Sequence, residues 1–344
     1  MLNIFVGCSN LKDVNLEAIS KIGDYAFYGC SNLKEVNLQS ITRIGSYAFY
    51  GCEDMEPCLP ESIAAINGYA FYGNRSLKAL DISVRNLGDH AFANCKELTQ
   101  VNIGGDLSYS TFEDCTSLKS VVIRPGVNVI WGGTFSGCTA LSSVDIPEGV
   151  KRIENGAFDG CALEEITIPE SVAELGDACT NCDNLNSVNI KSISSWLKME
   201  ENTFSLKGGR KLLVDGNLVK EVNFPESDSW TGIKANFKNY EYLESISIPD
   251  LYSGIGDDAF DGCDNLCRIY CYAERPPHLS DHAFSDKCIQ LATVYVPGHL
   301  LETYRQNQPD PAYISEQRLS WSMFRVEPMP GTGEKLSEGH SLLD

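Results

Sequence analysis

Short runs of alternating apolar and polar residues return along most of the chain. Val14 and Leu16, Val36 and Leu38, Leu80 and Ile82, Val101 and Ile103, Val121 and Ile123, Val144 and Ile146, Ile166 and Ile168, Val188 and Ile190, and Ile246 and Ile248 each bracket one outward position. A period of two predicts short strands with one buried and one wet face. Pro147, Pro169, Pro249 and Pro297 close several of these runs, where a ladder ends and no donor is needed. Pro57 spoils the third run and leaves its register open.

A phenylalanine precedes each strand. It stands at Phe5, Phe27, Phe49, Phe71, Phe92, Phe112, Phe135 and Phe158; Cys179 takes the next slot, and Phe237, Phe260 and Phe284 resume the series. Outside the interruption the interval is 20 to 24 residues. Ile-Gly pairs such as Ile22-Gly23, Ile44-Gly45 and Ile255-Gly256 come just before, then a small residue such as Ala26, Ala48 or Ala70. Two places after each slot the residue is always Gly, Asn or Asp, as at Gly29, Asn94 and Asp114. These types tolerate a left-handed backbone, so the pattern predicts that Phe rides a one-turn helix and the chain then reverses. One strand and one turn cannot bury an apolar face alone. A period of this size therefore predicts a stacked solenoid, in which each copy is the floor for the next. Near-repetition of FVGCSNLKDVNL from Phe5 as FYGCSNLKEVNL from Phe27 is the plainest case.

These units resemble the BspA-type leucine-rich repeat of bacterial surface proteins and some protists. The pattern I-G-x-x-A-F-x-G-C-x-x-L-x-x-V-x-I-P is matched by residues 153–169 with one residue missing, and by residues 255–269. The resemblance covers roughly residues 1–327. It implies a mostly β repeat solenoid: a right-handed array with a parallel sheet on one side and short helical or 3₁₀ turns on the other. It also implies a non-catalytic role in adhesion to host or other cell-surface proteins, or to a glycan, at an extracellular location.

Four segments are expected: repeats over 1–191, an irregular stretch over 192–225, repeats and a closing coil over 226–327, and a disordered tail over 328–344. Asp215-Gly216 between two apolar runs predicts a projecting β-hairpin. The large Trp321 and Phe324 are suited to seal the last coil. Met1 falls inside a turn segment with no seal ahead of it, which suggests a longer array upstream.

Composition narrows the function. The chain has 43% apolar and 22% charged residues and a formal charge of −20, with pI near 4.6. Such a surface does not suit nucleic acid or an anionic membrane. No apolar run is long enough to span a bilayer. MLNIFVGC lacks the basic start and apolar stretch of a signal peptide. FVGC is better explained by the repeat than by a lipoprotein site, because Cys8 returns as Cys30 and Cys52.

Ten of the 14 cysteines, Cys8, Cys30, Cys52, Cys95, Cys115, Cys138, Cys161, Cys182, Cys263 and Cys288, hold one slot per coil. That suits a ladder of small core thiols. Neighbouring coils about 4.8 Å apart are within Cα range of a bridge, but parallel Cβ vectors disfavour one. Cys179 and Cys182 make a CxxC, yet both fall on repeat slots, so packing is expected over redox or metal chemistry. His278 and His282 are four apart, but Pro276-Pro277 ahead of them argues for a turn. His90 stands where other units carry Tyr and is expected at the solvated surface. No nucleophile, phosphate-loop or zinc-protease motif occurs, and neither metal nor cofactor is implied.

Three surfaces are candidates for binding. The outward strand row holds Asn15, Asn37, Asp81, Asn102, Val122, Asp145, Thr167 and Asn189, then Ser247, Tyr270 and Tyr295. It is either a recognition ladder or an ordinary wet strand face. Tyr25, Tyr47 and Tyr69 stand in register on the turn side, as do Tyr28, Tyr50 and Tyr72. They serve either an interface or only stacking between coils. The hairpin tip at Asp215 and Gly216 is the third. An intracellular scaffold suits the reduced-looking thiols and is the rival reading; an enzyme site grafted on the solenoid is the second rival.

Overall fold

The computed structural model describes residues 5–226, 232–234, 237–307 and 319–330. The chain forms two compact units, residues 1–186 with 199–204, and residues 187–198 with 205–344.

In the first unit, parallel strands stack coil on coil. Ala79–Val84, Gln100–Gly105 and Ser120–Ile123 form one sheet, with Leu80, Val101 and Val121 in register and Ile82, Ile103 and Ile123 beside them. A bridge from Val122 to Asp145 carries the row one coil further. Asp13–Val14 pairs with Glu35–Val36. The third coil has no strand around Pro57, so the row breaks there.

The structure adds a second ladder that the sequence pattern does not announce. Lys21–Ile22, Arg43–Ile44, Ala65–Ile66 and Asn86–Leu87 pair in parallel, as do Val129–Ile130, Arg152–Ile153, Glu174–Leu175 and Glu201–Asn202. Each strand is two residues long, too short for an alternating signal. Its mark is an Ile or Leu at the second position in seven of the eight strands, followed by glycine only at Gly23, Gly45, Gly88 and Gly176. The glycine is required at Gly88, where a Cβ would lie 2.2 Å from the Gly68 nitrogen one coil away.

The turn side carries the short 3₁₀-type turns expected. Tyr25, Phe27 and Gly29 donate their N–H groups to the carbonyls of Ser46, Ala48 and Tyr50, each at 2.8 Å. The intervening Ala26, Tyr28 and Cys30 donate to carbonyls three residues back, at 3.4, 3.2 and 3.1 Å. The turns are thus single 3₁₀-type closures that also hold the next coil. Two left-handed residues frame most turns of the first unit, though not the one at Cys179. Gly29, Asn94 and Asp114 have φ of 71°, 59° and 57°, as expected for their residue types. Tyr25, Tyr47 and Tyr69 have φ near 57° as well, a conformation unusual for a bulky side chain.

Between sheet and turn, the phenylalanines form a continuous column. Successive rings from Phe5 to Phe158 lie 5.2 to 5.8 Å apart and nearly parallel. All from Phe27 to Phe158 are buried. The cysteines are free thiols, and Cys179 and Cys182 are buried core residues.

In the second unit, Glu221–Asn223, Ser245–Ile248, Arg268–Cys271, Thr293–Val296 and Arg325–Pro328 form a parallel five-stranded sheet. Gly232–Ile233, Gly254–Ile255 and His278–Leu279 form the matching short ladder. Asp215 and Gly216, with φ of 48° and 76°, turn the chain between Lys211–Val214 and the antiparallel Asn217–Leu218. The hairpin is therefore real, but its first strand also pairs in parallel with Ser187–Ile190. It is part of the ladder rather than an addition to it. The stretch expected to be irregular also contains the helix Ile193–Lys198, with Trp196 buried. Trp321 is buried, donates to the Pro277 carbonyl at 2.6 Å and packs beside Phe284 and Phe324. Pro328 belongs to the final strand, and residues 331–344 of the expected tail lie outside the described residues.

Candidate binding surfaces

On the strand side of the first unit, several outward polar groups are already engaged within the chain. Asn15 and Asn37 are exposed, but each Oδ1 accepts the backbone N–H two residues on, from Glu17 at 2.9 Å and Gln39 at 3.1 Å. Asn102 donates to Asp81 at 3.1 Å, and Arg124 pairs with the other Asp81 oxygen at 2.6 Å. These contacts hold the Asp81 carboxyl below its usual range, the Asn102 hydrogen bond contributing most and Arg124 next. Val122 is 48% exposed, and Asp145 and Thr167 are also exposed. In the second unit, Asn189 and Ser247 are half-buried, and Tyr270 and Tyr295 stack at 5.1 Å.

The turn side of the first unit carries two columns of tyrosine. Tyr25, Tyr47 and Tyr69 stack at 4.9 and 4.8 Å, within 4° of parallel. Tyr28, Tyr50 and Tyr72 stack beside them at 4.9 and 4.8 Å. Neighbours across the columns meet tilted, at 5.7 to 5.8 Å. The repeat backbone fixes both columns, because Tyr25 and Tyr28 flank the Phe27 anchor. None of the six hydroxyls has a hydrogen-bond partner among the described residues. Burial, then repulsion from the neighbouring tyrosines, raises the Tyr47 pKa above its ordinary value.

His90 is not simply solvated. It continues the first column, stacked on Tyr69 at 4.5 Å, and its Nε2 lies 3.1 Å from Glu113. Tyr109, 46% exposed, then meets Trp131 at 4.9 Å, and the Arg152 guanidinium lies 5.1 Å over that indole. Sequence reading missed this extension because its members leave the tyrosine slots: Trp131 and Glu154 stand where other coils have Gly23, Gly45 and Gly88.

The hairpin tip, Asp215 and Gly216, is exposed. His278 lies in a short strand and His282 in a left-handed turn, so no helix presents the pair. Among the described residues no group of three or more His, Cys, Asp or Glu is arranged to hold a metal, and no helix is long and apolar enough to cross a membrane.

Comparison with known proteins agrees with this architecture. The model of the BspA type leucine rich repeat region, in six copies, matches residues 2–110, 105–211 and 215–307. A leucine-rich repeat protein from Bacteroides ovatus is 22% identical, with 93% of each chain covered and a TM-score of 0.51. A leucine rich cell surface protein from Faecalibacterium prausnitzii is 22% identical over 93% of this chain and 88% of its own, with a TM-score of 0.37. A leucine-rich repeat protein of T. pallidum is 30% identical over 40% of this chain and 68% of its own, with a TM-score of 0.37. Among curated proteins no significant match is found. With three matched segments spanning most of its length, the chain belongs to the BspA type leucine-rich repeat family.

Proposed function

We propose that this chain is a non-catalytic binding module of a cell-surface protein, that it serves adhesion to proteins of a host or of other cells, and that it binds through the tyrosine side of its first unit. The observation that carries the reading is the pair of tyrosine columns, locked in register by the backbone, with six hydroxyls that have no hydrogen-bond partner among the described residues. Tyrosine supplies apolar area and a polar tip at small entropic cost, which favours interfaces. Rigid presentation lowers the ordering cost of binding. Membership of a leucine-rich repeat family, whose members generally bind proteins, supports the same reading. The strand row is the weaker surface, since Asn15 and Asn37 are held by nearby backbone, Asp81 is engaged by Asn102 and Arg124, and Pro57 interrupts the row.

The test uses the labelled full chain on intact cells and on immobilised extracellular matrix proteins. Tyr25→Ala with Tyr47→Ala is expected to abolish retention, while Asn37→Ala with Asn102→Ala leaves it intact. The reverse result moves the site to the strand row. Retention unchanged by either pair overturns binding by both faces.

A further inference from the structure

We propose that the tyrosine columns of the first unit dock a basic, proline-rich polypeptide segment in the polyproline II conformation, lying along the columns. The inference rests on the binding role proposed above and names the partner class of that site.

The argument begins with which ring surfaces are available. Within each column the rings lie 4.8 to 4.9 Å apart and within 6° of parallel. The faces between successive rings are therefore covered, and only the outer face of an end ring such as Tyr25 is not stacked on another tyrosine. A ligand running along the columns meets ring edges and hydroxyls, not open faces. This disfavours a chain of sugars, whose apolar faces need an open ring to stack on.

The hydroxyls have no hydrogen-bond partner among the described residues and can donate outward. Their complement is a ligand with a row of free acceptors. In a helix or a paired strand the carbonyls are already engaged, whereas a polyproline II segment has no internal hydrogen bonds. Spacing points the same way. One turn of polyproline II advances about 9.3 Å, at three residues of ~3.1 Å each. Two steps of the first column, 4.9 Å from Tyr25 to Tyr47 and 4.8 Å from Tyr47 to Tyr69, come close to that length. Every second tyrosine thus meets an equivalent residue of the ligand. An extended strand repeats each face at ~6.6–6.8 Å and falls out of step within one coil. Proline-rich segments also arrive preformed, so little entropy is lost on docking to an aromatic surface.

Charge selects the flanking residues of the partner. Asp24 adjoins Tyr25 and accepts the Ser46 N–H, Asp89 adjoins His90 and accepts from the Ser108 hydroxyl, and Glu113, which lies against His90, and Asp114 act electrostatically on Tyr72. Lys21 and Arg43 lie on the short strands just ahead, and Arg152 is engaged by Glu154 and Glu174. Carboxylates are in excess, within a chain of charge −20, so Arg or Lys between the prolines is favoured.

The experiment is a fluorescence-anisotropy titration of the full chain with a synthetic Pro-Pro-Arg repeat peptide of about four turns. Controls are a Gly-Ser-Arg peptide of equal length and charge, and a β-linked oligosaccharide. The proline peptide is expected to bind about tenfold tighter than the Gly-Ser control, because it is preformed. Tyr28→Phe, Tyr50→Phe and Tyr72→Phe together keep the stack and remove three donors, and are expected to weaken binding about tenfold or more. An unchanged circular dichroism spectrum confirms that the variant is folded. Equal binding of the two peptides, or no effect of the Phe variant, overturns the proposal. Hydroxyl-dependent binding of the oligosaccharide without the peptide also overturns the partner class, yet leaves the tyrosine side as the binding surface. Failure of the binding role itself is read separately, by the Tyr25 and Tyr47 variants on cells.

Discussion

Cys52 donates its thiol hydrogen to the carbonyl oxygen of Phe27, one coil away, at 3.1 Å. The same carbonyl accepts the N–H of Cys30 at 3.1 Å, so both of its lone pairs are used. The arrangement recurs from Cys95 to Phe71, Cys115 to Phe92, Cys138 to Phe112, Cys161 to Phe135, Cys182 to Phe158 and Cys263 to Phe237, at 3.0 to 3.4 Å. Cysteine suits the slot because it is small and apolar and still carries a weak donor. Where Asn74 holds the slot, its amide donates to the carbonyls of Cys52 and Met55 instead.

Truncating this row is expected to cost stability. Cys115→Ala removes a buried hydrogen bond and leaves a small void, for a loss of about 1–2 kcal/mol in urea unfolding. Cys58→Ala, at an exposed cysteine, should change stability by less than about 0.5 kcal/mol. Equal effects from both would contradict a structural role for the row.

Alkaline pH is expected to unfold the protein through these thiols. Burial pushes Cys52 and Cys138 from 9.0 up to about 12, and raises Cys30, Cys115, Cys161 and Cys263 as well. A folded-state pKa above the unfolded value means that the native state holds more protons in between. The stabilisation is complete below about pH 9 and is lost as pH rises toward 12. Melting temperature measured across this window should fall steadily; a flat profile would refute the assignment.

How much of this was legible depended on the length of each signal. Alternation over Leu80 to Ile82 or Val101 to Ile103 was long enough to place strands and their inward faces, and the left-handed slot at Gly29 or Asn94 was marked by residue type. The paired strand at Lys21–Ile22 was not, because two residues carry no period. Nor was the left-handed backbone at Tyr25, since nothing in a tyrosine announces it; the conformation is imposed by bonds to Ser46 and from Tyr28. The tyrosine columns were readable from register alone, but the Tyr109, Trp131 and Arg152 group required the packing of three coils that lack the common residues.

Gly88→Ala is expected to be severely destabilising, by about 2–4 kcal/mol, because the new Cβ meets backbone of the neighbouring coil. Gly88 needs its glycine for space rather than for a left-handed φ. Gly29→Ala has no atom closer than 3.8 Å to its new Cβ and suffers only from its φ of 71°, so it should cost about 1 kcal/mol. Chemical denaturation of the two variants checks the ranking.

Trp321→Ala should lower the stability of the second unit by about 3–5 kcal/mol, since it empties the closing coil and leaves the Pro277 carbonyl without its donor. Tyr47→Phe, by contrast, keeps the column and should be silent in unfolding while weakening binding. Thermal melts read with tryptophan and tyrosine fluorescence separate the two outcomes.

Surface display is the claim on which the adhesion account depends most directly. Intact source cells should be treated with protease and the released peptides identified against a lysis control. The account predicts peptides of this chain in the released fraction before lysis. Finding them only after lysis would contradict it and favour the intracellular scaffold.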